Sequence, residues 1–283
     1  MSPRLARTGW SLLAWSLILL VAAPLVIIVA MGFGATAPGV PPVVPPLGAA
    51  GWQGSLEAWG LLFADTYYLD AMLRSLRLAG ITATLCLVLG FGMALGIASA
   101  RSPGLWLALV LLPFWAGFVL RLAAWVGLLR DGGWINATLM QLGLISEPWQ
   151  MLYTEGAMLL GMVHAYLPLA VLPLTATLAK RDIRLEEAAA DLGAGRWVVC
   201  FTVTLPLAAP AAAAAFLLVF IPAAGEVVIP EVLGAPDSVL IGRAIWGEFF
   251  QTRDWPAAAA LSTALLALLL LPIALYQRLS VAR

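Results

Sequence analysis

The sequence predicts an all-α integral membrane protein with six transmembrane helices and both termini in the cytoplasm (N-in/C-in). Composition is the first of three observations behind this. Of 283 residues, 63% are apolar and 11% charged, against roughly a quarter charged in a soluble domain. Mean hydropathy is +0.98, so lipid is the solvent this chain matches. The second observation is length: about 20 apolar residues carry a helix across about 30 Å of hydrocarbon, and six segments qualify. The third is the placement of bases. With the N-terminus inside, Arg4, Arg7, Arg101, Lys180, Arg181, Arg184, Arg196, Arg278 and Arg283 fall at inner ends and loops, nine of the fifteen basic residues. The other face receives Arg74, Arg77, Arg121, Arg130, Arg243 and Arg253 with most of the acids. An excess of bases marks the cytoplasmic side, although Arg74 and Arg77, at the outer end of the second span, run against the rule. The formal net charge of zero gives no reason to expect a nucleic-acid partner.

The elements follow in order. Residues 1–34 form an N-terminal transmembrane helix, with its span over 9–33. Ala35-Thr36-Ala37 resembles a signal-peptide cleavage site. The apolar run before it exceeds the about 7–15 residues of a signal core, so a retained helix is predicted. Residues 35–68, beginning "ATAPGVPPVVPPLGAAGWQG", are rich in Pro and Gly and read as an extended external linker. Residues 69–277 supply a five-helix core, and 278–283 a cytoplasmic tail. The second span, 73–100, carries Gly90, Gly92 and Gly96, which read as close helix contacts. The third (105–129), fourth (156–179), fifth (206–230) and sixth (256–276) complete the count. In the fifth, Pro222 and Pro230 bracket Gly225-Glu226 and predict an interrupted helix, a feature that lines cavities in transporters. Cys86 and Cys200 fall at different depths, so no disulfide is expected.

An ionisable group inside a span costs about 2.5–3.5 kcal/mol at the helix centre and is a functional candidate by default. Arg121, His164 and Glu226 are the three. At about 1.5 Å rise per residue all reach the outer third of the bilayer. Two readings stay open. In one, the three line a polar mouth that meets solute. Glu226 and the carbonyls of the broken helix favour a cation there, and Trp115, Phe118 and Trp125 offer aromatic faces worth about 0.5–2 kcal/mol each to an ammonium. Glu231, Asp237 and Glu248 in the external loop suit an amine. In the other reading Arg121 pairs with Glu226, His164 bonds a backbone carbonyl, and the aromatic residues pack or anchor.

The connection between the fourth and fifth spans, 180–206, contains the stretch "EEAAADLGAGRWVVCFTVTLPLAAP" from Glu186 to Pro210. As the longest cytoplasmic loop it must meet water or a partner. Asp182 can cap a helix, Glu186 and Glu187 suit its early turns, and Gly193 supplies a left-handed exit. A second short helix from Ala194 toward Leu205-Pro206 completes a helix–turn–helix along the membrane surface, thin at Ala188, Ala189 and Ala190. Composition alone would make it an amphipathic connector resting on headgroups.

Its spacing says more. Glu187-Ala188-Ala189, then Gly193, Val203 and Leu205-Pro206, resembles the EAA signature of permease subunits of bacterial binding-protein-dependent ABC importers, with Val203 where isoleucine is usual. The resemblance implies the type I importer (MetI-like) transmembrane fold. It implies that Glu187, Ala188, Ala189, Gly193, Leu205 and Pro206 form an ATPase-coupling loop that enters a cleft on the ATP-hydrolysing subunit. The partners implied are a cytoplasmic ABC ATPase dimer, a second permease subunit in a heterodimer, and a periplasmic solute-binding protein. "PFWAGFVLRLAAWVGLLRDGGWIN" (113–136) and "FIPAAGEVVIPEVLG" (220–234) look like the polyamine (spermidine/putrescine) permease subfamily of the bacterial inner membrane, over roughly 73–276.

No GxxxxGK[ST] phosphate loop occurs, and the one lysine is Lys180. The chain is therefore expected to be a transport subunit and not an enzyme, binding no cofactor or metal, with ATP and Mg used by the partner ATPase. An ion-driven secondary carrier is the rival class, but it expects a coupling site near the midplane. A polytopic scaffold would not need the motif spacing.

Overall fold

The computed structural model describes residues 3–281 except 50 and 65, with side chains from 15 to 278. The side chains of Arg4, Arg7 and Arg283, used above for orientation, and the end of the 278–283 tail lie outside the described residues.

The helices are α1 (Pro3–Met31), α2 (Glu57–Ala64), α3 (Thr66–Ala98), α4 (Pro103–Trp115), α5 (Phe118–Leu129), α6 (Trp134–Gln141) and α7 (Glu155–Leu178). Then come α8 (Ile183–Asp191), α9 (Arg196–Val199), α10 (Leu205–Ala224), α11 (Val228–Leu233), α12 (Ile241–Gly247) and α13 (Trp255–Val281). Two π-helical turns, Cys200–Thr204 and Glu248–Thr252, lead into α10 and follow α12. The predicted helical class holds.

The predicted count of six spans does not carry over directly. Among the described residues α3, α7, the continuous run Arg196–Ala224 and α13 are each long and apolar enough to cross a membrane, and the described apolar part of α1, Trp15–Met31, is shorter. The third span is not one helix over 105–129: α4 ends at Trp115, and the run Phe118–Gln141, which holds α5 and α6, leaves it at a bend of 88°. Pro113 sits in the last turn of α4, and Ala116 and Gly117 are extended, with ψ of 137° and 142°. A proline ring removes one intrahelical donor and crowds the preceding turn, and the residues that follow do not restart the ladder until Phe118. Hydropathy runs unbroken through this point, so it conceals the elbow.

Two compact units make up the chain. The larger, residues 71–242 and 269–283, is centred on α3, α7 and α10. Ala83, Cys86 and Ala94 of α3, Ala170, Leu174 and Leu178 of α7, and Ala208, Ala212, Ala215 and Val219 of α10 form its core. Small residues let membrane helices approach closely, which replaces the hydrophobic drive that lipid cannot supply. A Cβ on Gly90 would stand 3.2 Å from that of Ala170, whereas Gly92 and Gly96 meet nothing within 4 Å. One of the three expected glycine contacts is thus present. On α7, a Cβ at Gly161 would overlap Leu233 of α11. After α6, the buried Asn136 holds the loop by reciprocal bonds: its Nδ2 donates to the Trp149 carbonyl at 2.9 Å and its Oδ1 accepts the Trp149 N–H at 3.0 Å.

The smaller unit comprises residues 1–70 and 243–268. The Pro/Gly-rich segment is not wholly extended, since β1 (Ala35–Thr36) pairs with β2 (Val43–Val44) and β3 (Leu47–Gly48) with β4 (Gly51–Trp52), both antiparallel. Asp254 caps α13, its Oδ1 accepting the Ala257 N–H and the Thr36 hydroxyl, each at 3.1 Å. Glu248 accepts hydrogen bonds from the hydroxyls of Tyr68 at 2.7 Å and Thr252 at 2.6 Å. That carboxylate, expected to face an amine in the external loop, is therefore already engaged. Both cysteines are free.

Candidate functional site

The motif loop begins where α7 ends. Asp182 takes the N-cap of α8, its Oδ1 accepting the Arg184 N–H at 3.0 Å, as expected. At the other end the Gly193 N–H bonds the Ala190 carbonyl at 2.8 Å and the Ala194 N–H reaches the Ala189 carbonyl at 3.1 Å. With φ of +88° at Gly193, this is a Schellman closure that glycine accommodates without strain. Glu187 and Ala188 are exposed, Ala189 half-buried, and Leu192 at the tip is 90% exposed.

The second arm differs from expectation. It is not a separate surface helix: α9, the π-turn and α10 form one 29-residue helix, Arg196–Ala224, with Leu205 and Pro206 in its interior. Within the π-turn the Leu205 N–H bonds the Cys200 carbonyl, five residues back. That wider turn comes just before Pro206, whose ring would otherwise press on the carbonyl four residues earlier.

Glu186 ties the two arms together. Its Oε1 accepts the Arg181 Nε–H at 3.0 Å and the Thr204 hydroxyl at 2.8 Å, while Arg181 also donates to the Leu178 carbonyl and Ser99 Oγ. Replacing Glu186 by alanine should loosen α8 by about 1–2 kcal/mol. Hydrogen exchange should then show about 5- to 30-fold lower protection of α8 amides, with α7 and α10 unchanged.

The intramembrane candidates make different contacts. Glu226 lies in the predicted interruption between α10 and α11 and is buried. Its Oε1 accepts the N–H groups of Val227, Val228 and Ile229 at 3.1, 2.9 and 3.4 Å, and its Oε2 accepts the Tyr166 hydroxyl of α7. Arg121 does not pair with it. The guanidinium stacks instead over Phe114 at 5.0 Å and Phe118 at 5.6 Å, and its buried Nε and Nη1 have no hydrogen-bond partner among the described residues. His164 meets Trp125 edge-to-face at 5.5 Å.

Trp115, expected on one face with Phe118 and Trp125, is cut off by the elbow and is 88% exposed. Sequence reasoning missed Tyr166, because it sought only ionisable groups. A hydroxyl within a span also needs a partner, and that was the available signal.

Apolar helices of membrane-spanning length, a bent helix pair and an exposed small-residue hairpin together define a multi-pass membrane protein. The family model for "Binding-protein-dependent transport system inner membrane component" matches residues 8–283. The chain belongs to that family, as an inner-membrane permease component.

Among its relatives is the spermidine/putrescine transport system permease protein PotB of Haemophilus influenzae, 36% identical over 226 residues and 79% of each chain. PotB of Escherichia coli K12 is 35% identical over 218 residues, 76% of this chain and 79% of that one. A solved bacterial ABC transporter involved in the import of the acidic polysaccharide alginate matches with a TM-score of 0.72, 20% identity and 96% coverage of both chains. At that identity the likeness supports the fold alone.

Proposed function

We propose that this chain is one of two permease subunits of an ATP-driven ABC importer that takes a polyamine such as putrescine or spermidine from a periplasmic binding protein into the cytoplasm. The observation that carries the solute class is the identity of 36% to a spermidine/putrescine permease across 79% of the chain.

In this reading the bent pair and the N-terminal helix complete six spans, N-in and C-in. Residues 35–68 lie outside, and 69–277 form the permease core. The exposed face of α8, with Glu187, Ala188, Ala189 and Gly193, docks on a cytoplasmic ATPase dimer, and Leu205 and Pro206 lead the movement into the bilayer. ATP and Mg act on that ATPase, and this chain binds no cofactor. The second permease is a different chain. Arg121, Phe118, Trp125, His164 and Glu226 border the solute path, and Trp115 faces lipid or the second permease.

Arg121 favours a second reading, an importer of some other small solute, because a guanidinium whose Nε and Nη1 have no hydrogen-bond partner among the described residues is a poor neighbour for a polycation. ATP-driven uptake of labelled spermidine and putrescine into vesicles holding the assembled transporter decides between them. Uptake saturating at low concentration with the loaded binding protein supports the polyamine. No uptake of either amine, with ATP hydrolysis still stimulated by the binding protein, rejects it.

A further inference from the structure

A cleft of about 490 Å³ opens between α8 and the ends of α7 and α10, lined by Leu178, Leu185 and Leu207 and by Lys180, Arg181, Asp182 and Glu186 among others. Glu187, Ala188, Ala189 and Gly193 do not line it, so it is separate from the docking face of the hairpin. Its depth is set by its walls. Leu178 is the last residue of α7, a helix of membrane-spanning length, and Lys180 and Arg181 follow it directly, so the charged end of the cleft falls where α7 would leave the hydrocarbon.

The charges in the cleft are unequally committed. Arg181 uses Nε on Glu186, Nη1 on the Leu178 carbonyl and Nη2 on Ser99. Glu186 is held by Arg181 and Thr204, and Asp182 caps α8. Lys180 is the exposed cation whose ammonium is left with no hydrogen bond or ion pair among the described residues. It stands over apolar walls whose Leu185 and Leu207 remain about half exposed, at 48% and 55%.

We infer that this cleft is a site for an anionic phospholipid, with the headgroup phosphate on the Lys180 ammonium and the upper acyl chain along Leu185 and Leu207. A headgroup phosphate gains about 1 kcal/mol from each basic residue at a membrane surface, and here the chain would stay in apolar contact beside the one ammonium that has no partner among the described residues of the cleft. Its effect would be to hold α8 against the bundle. The inference needs only that the chain spans a membrane. It does not depend on the proposed solute, the partners or the orientation.

Lys180 is the one lysine in the sequence, so amine acylation followed by peptide mapping reads this site directly. The purified transporter is placed in nanodiscs, whose two faces are both open to reagent, made of phosphatidylcholine alone or with phosphatidylglycerol. Phosphatidylglycerol should slow acylation of Lys180 about fivefold, the factor expected for one basic residue engaged with an anionic lipid.

The comparator is the lysine introduced by Arg184→Lys in a Lys180→Gln background. Position 184 is exposed on α8 and outside the cleft lining, and that lysine should change far less. Native mass spectrometry should find phosphatidylglycerol retained by the unaltered protein and by Lys180→Arg, and lost from Lys180→Gln. Equal acylation in both nanodiscs, or equal slowing at positions 180 and 184, overturns the site. Slowing of the same size by millimolar inorganic phosphate in phosphatidylcholine alone makes the occupant a soluble anion and overturns the lipid.

Discussion

Replacing Gly193 by aspartate is expected to reduce ATP-driven uptake by about two orders of magnitude while the protein still inserts in the membrane. A Cβ at this position meets nothing within 4 Å, so the chain itself has room for a side chain. Two penalties remain. The φ of +88° charges any L-residue about 1–2 kcal/mol, although asparagine and aspartate visit this region more readily than other residues. The second penalty arises only if a partner covers the hairpin, since an unpaired carboxylate trapped in an interface costs about 2–5 kcal/mol. Asparagine has nearly the same shape and backbone tolerance but carries no charge. Gly193→Asn should therefore retain much of the uptake that Gly193→Asp loses, at equal amounts in the membrane. Normal uptake by the aspartate variant would remove the docking role from this loop.

Glu226→Leu should destabilise the transporter severely, whereas Glu226→Gln should fold. Leucine leaves three backbone N–H groups and the Tyr166 hydroxyl without the acceptor they now share. Each orphaned buried group costs about 1–3 kcal/mol, so the sum is comparable with the whole margin of about 5–15 kcal/mol that holds a typical protein folded. Glutamine keeps an acceptor oxygen for the three N–H groups and can donate to the tyrosine oxygen. Thermal unfolding in detergent separates the two variants, and a leucine variant as stable as the parent would show that the cap matters little. Uptake by the glutamine variant then isolates the charge. A raised apparent KM for spermidine places the carboxylate on the solute path, and unchanged kinetics leave it as a structural cap.

Much of the hairpin could be read from residues alone, because caps and exits are local chemistry. Asp182 and Gly193 do what their side chains and backbone freedom dictate. The interruption at Gly225-Glu226 was equally visible, since two prolines and a glycine punctuate an apolar run. The elbow at Ala116-Gly117 carried a similar mark in Pro113 and Gly117, but both halves are equally apolar and hydropathy, which is blind to backbone direction, passes over it. The partner of Glu226 was hidden for another reason: Tyr166 lies 60 positions away in the chain, and only packing of α7 on α10 and α11 joins them. Pairing Arg121 with Glu226 was reasonable by charge, yet the backbone N–H groups of a restarting helix are nearer acceptor-seekers than a guanidinium on another span.

The continuity from Arg196 to Ala224 bears on how force would travel. At about 1.5 Å per residue this rod is about 43 Å long, with the hairpin's second arm at one end and the Glu226 seam just past the other. If an ATPase docks on the hairpin as proposed, a displacement at Arg196 would meet no loop before the seam capped by Glu226, and the places where the helix itself can give are the π-turn at Cys200–Thr204 and the prolines Pro206, Pro210 and Pro222.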